Sequence, residues 1–154
     1  MLIVCLYVDD MIYTVNLMIE EFRTIMKKEF KMTNLGLMKY FLGLEVTQTD
    51  QGIFICQHNY ATDILQRFRI DKCKPIEPPI ALGTKLTKND DGSTINSTLY
   101  KRMVGNLMYL TATRLDLIYD VNLISRFMES PKESHLKVGK LILRYVAGTL
   151  GYGL

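Results

Sequence analysis

The sequence has few cysteines and histidines, and its apolar runs are short. Its three cysteines, Cys5, Cys56 and Cys73, are an odd and widely spaced set, which argues against a disulfide framework and predicts reduced thiols. Cys56, His58 and Cys73 supply only three zinc ligands at unsuitable spacing, so a zinc site is not expected. Residues 1–8 are apolar but lack a basic leader and are far too short to span a bilayer. A soluble intracellular protein without signal peptide or membrane anchor is therefore expected.

The chain also has only a modest number of charged residues of either sign. The chain has 19 Lys and Arg against 16 Asp and Glu, a net charge of +3. This balance fits a protein that contacts phosphates, and it fits an ordinary soluble surface equally well. With 154 residues, 48% of them hydrophobic and 23% charged, the chain can bury a sizeable core in one or two domains.

Two adjacent aspartates, Asp9 and Asp10, stand between the apolar runs 1–8 and 11–15. The runs are rich in Val, Ile, Leu and Tyr, and they predict a buried β-hairpin with the carboxylates at its turn. Carboxylates held together in this way suit Mg²⁺ or Mn²⁺. Two such ions ~3.5–4 Å apart clamp the attacking and leaving oxygens of phosphoryl transfer. The alternative is a polar turn without metal, since Asp is favoured in turns.

Hydrophobic periodicity predicts further helices and strands, so the expected fold class is α+β. A helix is predicted from the cap Asn16, with Met18, Phe22, Ile25 and Met26 on its apolar stripe. A second hairpin is predicted from residues 40–47 and 53–56, with its turn at 50–52. It is followed by a helix from Asn59 to about Ile70, an extended connector through Pro75, Pro78 and Pro79, and a polar linker containing the solvated turn Asp90-Asp91. The last predicted elements are three helices over roughly Leu99–Thr113, Asp116–Glu129 and Lys132–Ala147.

The segment Leu6–Ile12 resembles the palm motif of reverse transcriptases, especially those of copia-type LTR retrotransposons. Further segments similar to copia-type polymerases follow in order at Asn34–Gly36, Lys39–Val46, Cys73–Pro75, Leu99–Thr111, Arg114–Asp116, Ser125–Met128 and Leu143–Thr149. The resemblance covers essentially the whole chain, from the catalytic hairpin to just before the RNase H domain. Val15, Leu115 and Leu136 replace the family's usual Gly, Pro and Trp, which suggests a copy no longer held to polymerase function.

The resemblance implies a partial polymerase palm, built from antiparallel hairpins plus a helix, followed by a helical thumb and connection. Residues 1–57 would form the partial palm with the catalytic hairpin and the primer grip. Residues 58–82 would be a thumb-like helix and Pro-rich connector, residues 83–97 the linker, and residues 98–154 the helical thumb and connection segment.

The resemblance also implies roles for individual residues. Asp9 and Asp10 would be the catalytic carboxylates and metal ligands, Asp9 binding both Mg²⁺ (or Mn²⁺) ions directly, and Tyr7 would line the nucleotide site. The primer grip would comprise Phe41, Leu42, Gly43, Leu44 and Glu45. Its glycine would let a nucleic-acid backbone approach closely. A plain structural meander is the alternative for this hairpin.

Basic residues would contact the phosphates of the template–primer. From residue 98 onward eight Lys and Arg stand against four Asp and Glu. Five of them are expected on exposed helix faces, where they would touch template–primer phosphates without reading sequence: Lys101, Arg102, Lys137, Lys140 and Arg144. Lys31 or Lys39 is a candidate proton donor just before the primer grip. For all of these residues the alternative is a solvated surface charge.

The implied parent reaction is RNA- or DNA-templated addition of deoxynucleotides to a primer 3′ end. We expect the chain to be inactive alone and to bind metal weakly or not at all, because the first palm aspartate, the fingers and a nucleotide-binding segment precede this hairpin in the family. Expected partners are an RNA or DNA template–primer, an upstream polymerase fragment, or a second copy joined through the exposed palm hairpin. Two alternatives stay open, a non-catalytic nucleic-acid-binding module and a degenerate transposon-derived reading frame without function.

Overall fold

The computed structural model describes residues 2–14, 19–80, 83–88 and 92–154. Within them the elements are β1 (Val4–Tyr7), β2 (Asp10–Tyr13), α1 (Ile19–Phe30), β3 (Tyr40–Phe41), β4 (Leu44–Thr49), β5 (Gly52–Cys56), α2 (His58–Arg67), α3 (Ser97–Leu110), a 3₁₀ turn (Leu115–Leu117), α4 (Ile118–Ser125) and α5 (Glu133–Gly148). Helices and two small antiparallel sheets confirm the predicted α+β class. Val15, the predicted cap Asn16, Met18 and the predicted turn Asp90-Asp91 lie outside the described residues.

The chain divides into two compact units, residues 1–39 and residues 40–154. In the first unit β1 and β2 form an antiparallel hairpin in which Tyr7 pairs with Asp10. The Tyr13 ring meets Phe22 of α1 edge to face, with 5.6 Å between ring centroids. Glu20 and Glu21 lie in the first turn of α1 and Lys27 and Lys28 in its last, the distribution that stabilises a helix dipole.

The prediction that the first hairpin is buried is wrong for β1. All four β1 residues are exposed, and the Leu6 side chain keeps 68% of its accessible surface. Met11, Ile12 and Tyr13 of β2 are half-buried. The reason is geometric, because the described contact with α1 comes from β2 through Tyr13 and gives the side chains of β1 no cover.

In the second unit the sheet order is β3-β4-β5. Tyr40 pairs with Glu45, and Val46 pairs with Ile55. The single strand predicted across residues 40–47 is wrong, because Leu42 and Gly43 form a two-residue turn with φ angles of +49° and +77°. Positive φ at both central residues is the signature of a type I′ turn, which matches the twist of the strands on either side.

Helices α2 to α5 enclose the core of the second unit. Its fully buried side chains include Ile64, Tyr100, Leu107, Ile124 and Ile142. The Tyr100 hydroxyl donates to the carbonyl oxygen of Ile124 at 2.8 Å and so ties α3 to α4. Leu154 exchanges two backbone hydrogen bonds with Ile55, at 2.8 and 2.9 Å, which places the C-terminal residues beside β5.

The predicted helix Asp116–Glu129 is shorter than expected. It begins with the 3₁₀ turn, and α4 ends at Ser125. None of the described helices combines the length and the apolar character needed to cross a membrane.

Candidate functional site

The tip of the first hairpin presents the two aspartates. Tyr7 and Asp10 are opposite each other in the register, and Val8 and Asp9 form the turn between them. Val8 has a φ of +51°, a left-handed conformation that is unfavourable for a β-branched residue. A backbone conformation of this kind costs on the order of 1–3 kcal/mol and is concentrated at functional sites. The turn therefore holds Asp9 and Asp10 adjacent and exposed at the tip.

The carboxylates fit the chemistry of a hard divalent cation. Mg²⁺ takes oxygen ligands in near-octahedral geometry, and it keeps several waters or substrate phosphates in its shell. Asp9 and Asp10 can supply part of such a shell. Among the described residues, no three His, Cys, Asp or Glu side chains come together to hold a metal ion. The role of Asp9 and Asp10 as metal ligands therefore stays a prediction.

The turn of the predicted primer grip is packed against helix α3. The Tyr109 hydroxyl donates to the carbonyl oxygen of Leu42. A Cβ atom added to Gly43 would lie 3.1 Å from that hydroxyl oxygen. The open side of the glycine, where the sequence predicts room for a nucleic-acid backbone, thus faces Tyr109 in this structure. Phe41 and Leu44 close the turn as its last strand pair.

Glu45 of the predicted primer grip has a structural contact. Its Oε1 atom accepts a hydrogen bond from the backbone N–H of Asn59 at 2.7 Å. Asn59 is the second residue of α2, where N–H groups have no partner within the helix. The carboxylate therefore caps α2 and also meets the positive end of its dipole.

The predicted phosphate-binding residues occupy two helices of the second unit. Lys137, Lys140 and Arg144 recur at spacings of three and four, which places them on one stripe of α5. Both lysines are exposed. Arg144 is half-buried, and its Nε donates to the carbonyl oxygen of Lys74 at 2.8 Å. Its guanidinium thus also holds the connector that follows α2.

The other predicted basic residues are likewise on the surface. Lys101 and Arg102 are exposed on α3. Lys31 and Lys39, the candidate proton donors, lie at the surface of the first unit. All four positions are compatible with contacts to phosphates, and their roles stay predictions.

A buried ionic cluster around Arg114 has no assigned role in the sequence predictions. The Arg114 side chain is 4% exposed and binds Asp116 with two parallel hydrogen bonds of 2.9 and 2.7 Å. It also donates to the backbone oxygen of Thr149 at 3.0 Å and to its hydroxyl at 2.7 Å. The rings of Tyr145 and Tyr152 lie 5.6 and 5.3 Å from the guanidinium carbon. Every face of this cation is therefore occupied.

The cluster shifts the pKa of several acids. Burial alone would raise the pKa of Asp116, but the hydrogen bonds and charge of Arg114 overcome it and hold that pKa below 3.8. Asp120 lies one helical turn beyond Asp116. Burial, followed by repulsion from Asp116, raises the pKa of Asp120 above 3.8. Burial and then the hydrogen bond to Asp116 raise the pKa of the Tyr145 hydroxyl. The sequence signal was the pair Arg114 and Asp116 itself, but nothing local marked it as buried.

A family model described as reverse transcriptase (RNA-dependent DNA polymerase) matches residues 1–82. The retrovirus-related Pol polyprotein from transposon RE2 of Arabidopsis thaliana is 35% identical over 150 residues, which cover 96% of this chain and 10% of the polyprotein. The Pol polyprotein from transposon TNT 1-94 of Nicotiana tabacum is 33% identical over 161 residues, covering 97% of this chain and 12% of the polyprotein. An uncharacterized mitochondrial protein of Arabidopsis thaliana is 35% identical over 155 residues, covering 97% of this chain and 62% of that protein.

The chain spans about a tenth of the length of the Pol polyproteins that it matches. No solved structure matches it. The family match begins with the aspartate hairpin and includes the predicted primer grip. The chain therefore belongs to the reverse transcriptase (RNA-dependent DNA polymerase) family, in the branch of the copia-type Pol polyproteins.

Proposed function

We propose that this chain is the catalytic-hairpin, primer-grip and thumb portion of an enzyme that adds deoxynucleotides to a primer 3′ end. The observation that carries the proposal is the strained two-residue turn at Val8, which places the exposed Asp9 in the turn and the exposed Asp10 at the start of β2. A hairpin built only as a connection has no need of this conformation, which a glycine would adopt without strain. The four segments would be the partial palm (residues 1–57), the thumb-like helix and Pro-rich connector (58–82), the linker (83–97) and the helical thumb and connection (98–154).

Each residue of the hairpin has a proposed task. Asp9 would contribute oxygen ligands to both Mg²⁺ ions, Asp10 would be the second carboxylate, and Tyr7 would line the nucleotide site. The ions, when bound, neutralise charge on the transferring phosphate.

We propose that the chain alone does not polymerise DNA. Two carboxylates from one hairpin cannot complete a two-metal clamp, since the ions need ligands from an opposing carboxylate. Primer extension with Mn²⁺ tests this directly, using the purified chain, a labelled primer and a template. No extension is expected. Template-dependent product that disappears in the Asp9→Asn, Asp10→Asn variant would contradict the proposal of inactivity and support the metal assignment.

A second function, binding of duplex nucleic acid without catalysis, is favoured by the basic stripe on the surface of α5. Lys137 and Lys140 are three positions apart, about one helical turn, on the same stripe. A protein that neutralises phosphates releases counterions, so its affinity falls with salt in proportion to the number of phosphates contacted. This binding would survive the loss of the metal site.

Fluorescence anisotropy of a labelled primer–template across a salt series tests the binding function. We expect Lys137→Gln, Lys140→Gln to lower the slope of log K against log salt by about 2, one for each phosphate that the variant no longer neutralises. The matched control is Lys27→Gln, Lys28→Gln on α1, which removes the same charge from the first unit. Equal slopes for the two variants would contradict a specific role of the α5 stripe. Absence of binding at low salt would leave a degenerate reading frame as the explanation.

The exposed strand β1 is the proposed contact for a protein partner. Among the described strands it pairs with β2 alone, and its apolar side chains Val4 and Leu6 are exposed. Such an edge suits pairing with another strand, either from an upstream polymerase fragment or from a second copy. Light scattering across a concentration series distinguishes these partners. A second copy predicts dimers that Leu6→Lys disrupts, whereas a monomer at all concentrations excludes self-association.

A further inference from the structure

Tyr109 links the primer-grip turn to the thumb helix. It lies near the C-terminal end of α3, and its hydroxyl donates to the carbonyl oxygen of Leu42, which is 67 positions away in the chain. Leu42 has a φ of +49°, and this left-handed conformation is unfavourable for a residue with a Cβ atom. The hydrogen bond therefore stabilises the turn in the conformation that its own sequence disfavours.

Tyr109 is itself held in place by neighbouring residues. Gln57, which is 2% exposed, donates from its side-chain amide to the Tyr109 backbone oxygen at 3.3 Å. The hydroxyl of Thr113 donates to the Gln57 side-chain oxygen at 2.9 Å, which fixes the orientation of that amide. The Tyr60 ring meets the Tyr109 ring edge to face, with 4.8 Å between centroids. These contacts restrict both the backbone and the ring of Tyr109.

Tyr109 lies close to one side of the turn Leu42-Gly43. The position of a Cβ on Gly43 falls 3.1 Å from the Tyr109 hydroxyl oxygen and 3.6 Å from its ring carbon Cε1. The glycine thus allows the tyrosine to approach closely enough to reach Leu42. A displacement of α3 at Tyr109 would be transmitted to the turn through the hydrogen bond to Leu42 and the close contact at Gly43.

We propose that Tyr109 is a positioning residue for the primer 3′ end, acting by fixing the turn Leu42-Gly43 of the primer grip. This inference rests on the function proposed above, in which the turn orients the primer terminus. It assigns to a thumb-helix residue a role in aligning the reacting end, separate from holding the duplex. Tyr109→Phe should therefore leave the affinity for the duplex unchanged and alter only the alignment of the primer 3′ end.

The test compares Tyr109→Phe with Tyr100→Phe. Both substitutions delete one tyrosine hydroxyl that donates to a backbone carbonyl, and both keep the ring. Tyr100 is fully buried in the helical core and donates to Ile124, so its variant controls for a general loss of stability. The first measurement is hydrogen exchange of the free proteins, followed on the peptide covering residues 40–46. We expect exchange about tenfold faster in Tyr109→Phe than in wild type, and unchanged protection of this peptide in Tyr100→Phe.

The second measurement uses a primer–template with 2-aminopurine at the primer 3′ end and a separate anisotropy label at the far end of the duplex. We expect Tyr109→Phe to keep the wild-type affinity by anisotropy and to reduce the 2-aminopurine change on binding clearly below that of wild type. Tyr100→Phe should reproduce wild type in both signals.

The outcomes separate this inference from the proposed function. Unchanged exchange in Tyr109→Phe, or an unchanged 2-aminopurine signal while wild type binds, would overturn the positioning role and leave duplex binding intact. If wild type binds no duplex, the proposed function fails and the primer role fails with it. The exchange data then still decide whether Tyr109 fixes the turn.

Discussion

Replacing Arg114 by Met should destabilise the second unit and change how its stability depends on pH. The substitution removes two hydrogen bonds to Asp116 and two to Thr149, all between 2.7 and 3.0 Å. Removing one partner of a buried ion pair costs about 3–5 kcal/mol. Because the Asp116 side chain is 33% exposed, solvent compensates part of that loss. We therefore expect the lower end, a loss of about 3 kcal/mol in the free energy of unfolding at pH 7.

The pH dependence gives the sign of the effect. The pKa of Asp116 is held below 3.8 in the folded wild type, so its pair with Arg114 stabilises the fold above that pH and is lost as the pH falls through the folded pKa. Without Arg114, the effect of burial on Asp116 is no longer offset by the guanidinium, so the ionised carboxylate is less stable in the folded protein. The difference in stability between wild type and Arg114→Met should therefore shrink as the pH falls below 3.8 and reach its full value at pH 7.

Urea unfolding followed by circular dichroism measures this difference at each pH. In thermal unfolding followed by the same signal, the melting temperature of Arg114→Met should be roughly 10 °C lower than that of wild type at pH 7, because 1 kcal/mol corresponds to about 2–4 °C. Arg126→Met, which removes a surface arginine that follows α4, is the matched control and should change stability by less than about 0.5 kcal/mol. Adding Asp116→Asn to Arg114→Met should restore about 1–2 kcal/mol, because it deletes the unpaired carboxylate. A stability difference that grows toward acid, or one no larger than the control's, would refute the reasoning.

Other substitutions have equally definite outcomes. Gly43→Ala should cost about 1–2 kcal/mol by urea titration, and more than Gly83→Ala, because both residues have positive φ but only Gly43 also crowds the Tyr109 hydroxyl. Glu45→Gln should lower the melting temperature through a loss of about 0.5–1 kcal/mol at the start of α2, whereas Glu129→Gln, a surface control, should not. Asp120→Asn should raise the melting temperature at pH 7 and leave it unchanged below pH 3.8, since a raised pKa makes the ionised form costly above that pH; an equal effect at both pH values would contradict it.

Local sequence patterns predict the secondary-structure elements better than they predict the tertiary contacts between those elements. The two aspartates between apolar runs predicted a hairpin with both carboxylates at its turn, and the structure has that hairpin with the turn one residue earlier, at Val8 and Asp9, and Asp10 at the start of β2. The turn at Leu42 was not predicted, because leucine is an unusual residue for a left-handed conformation and the alternating pattern continues through it. Its stabilising partner, Tyr109, lies on a helix far along the chain. Only the tertiary structure brings the two together.

The ionic cluster shows the same limit. Arg114 and Asp116 are two positions apart, a spacing that on a surface would be an ordinary ion pair. The pair is buried because Thr149, 35 positions downstream, and two tyrosine rings surround the guanidinium. Charge and spacing can therefore predict that the residues meet, whereas burial, which determines the size of the effect, depends on the packing of α5.

The two compact units, residues 1–39 and residues 40–154, are expected to differ in their resistance to heat. A two-stranded hairpin with an exposed strand, covered from α1 through Tyr13 and Phe22, is of marginal stability in water. The helical core with Tyr100 and Ile124 is far more resistant to opening. On warming, the hairpin that carries Asp9 and Asp10 would open before α5 loses its helical structure. In a gently heated sample, hydrogen exchange would therefore accelerate in residues 1–39 at a lower temperature than in the helices of residues 40–154.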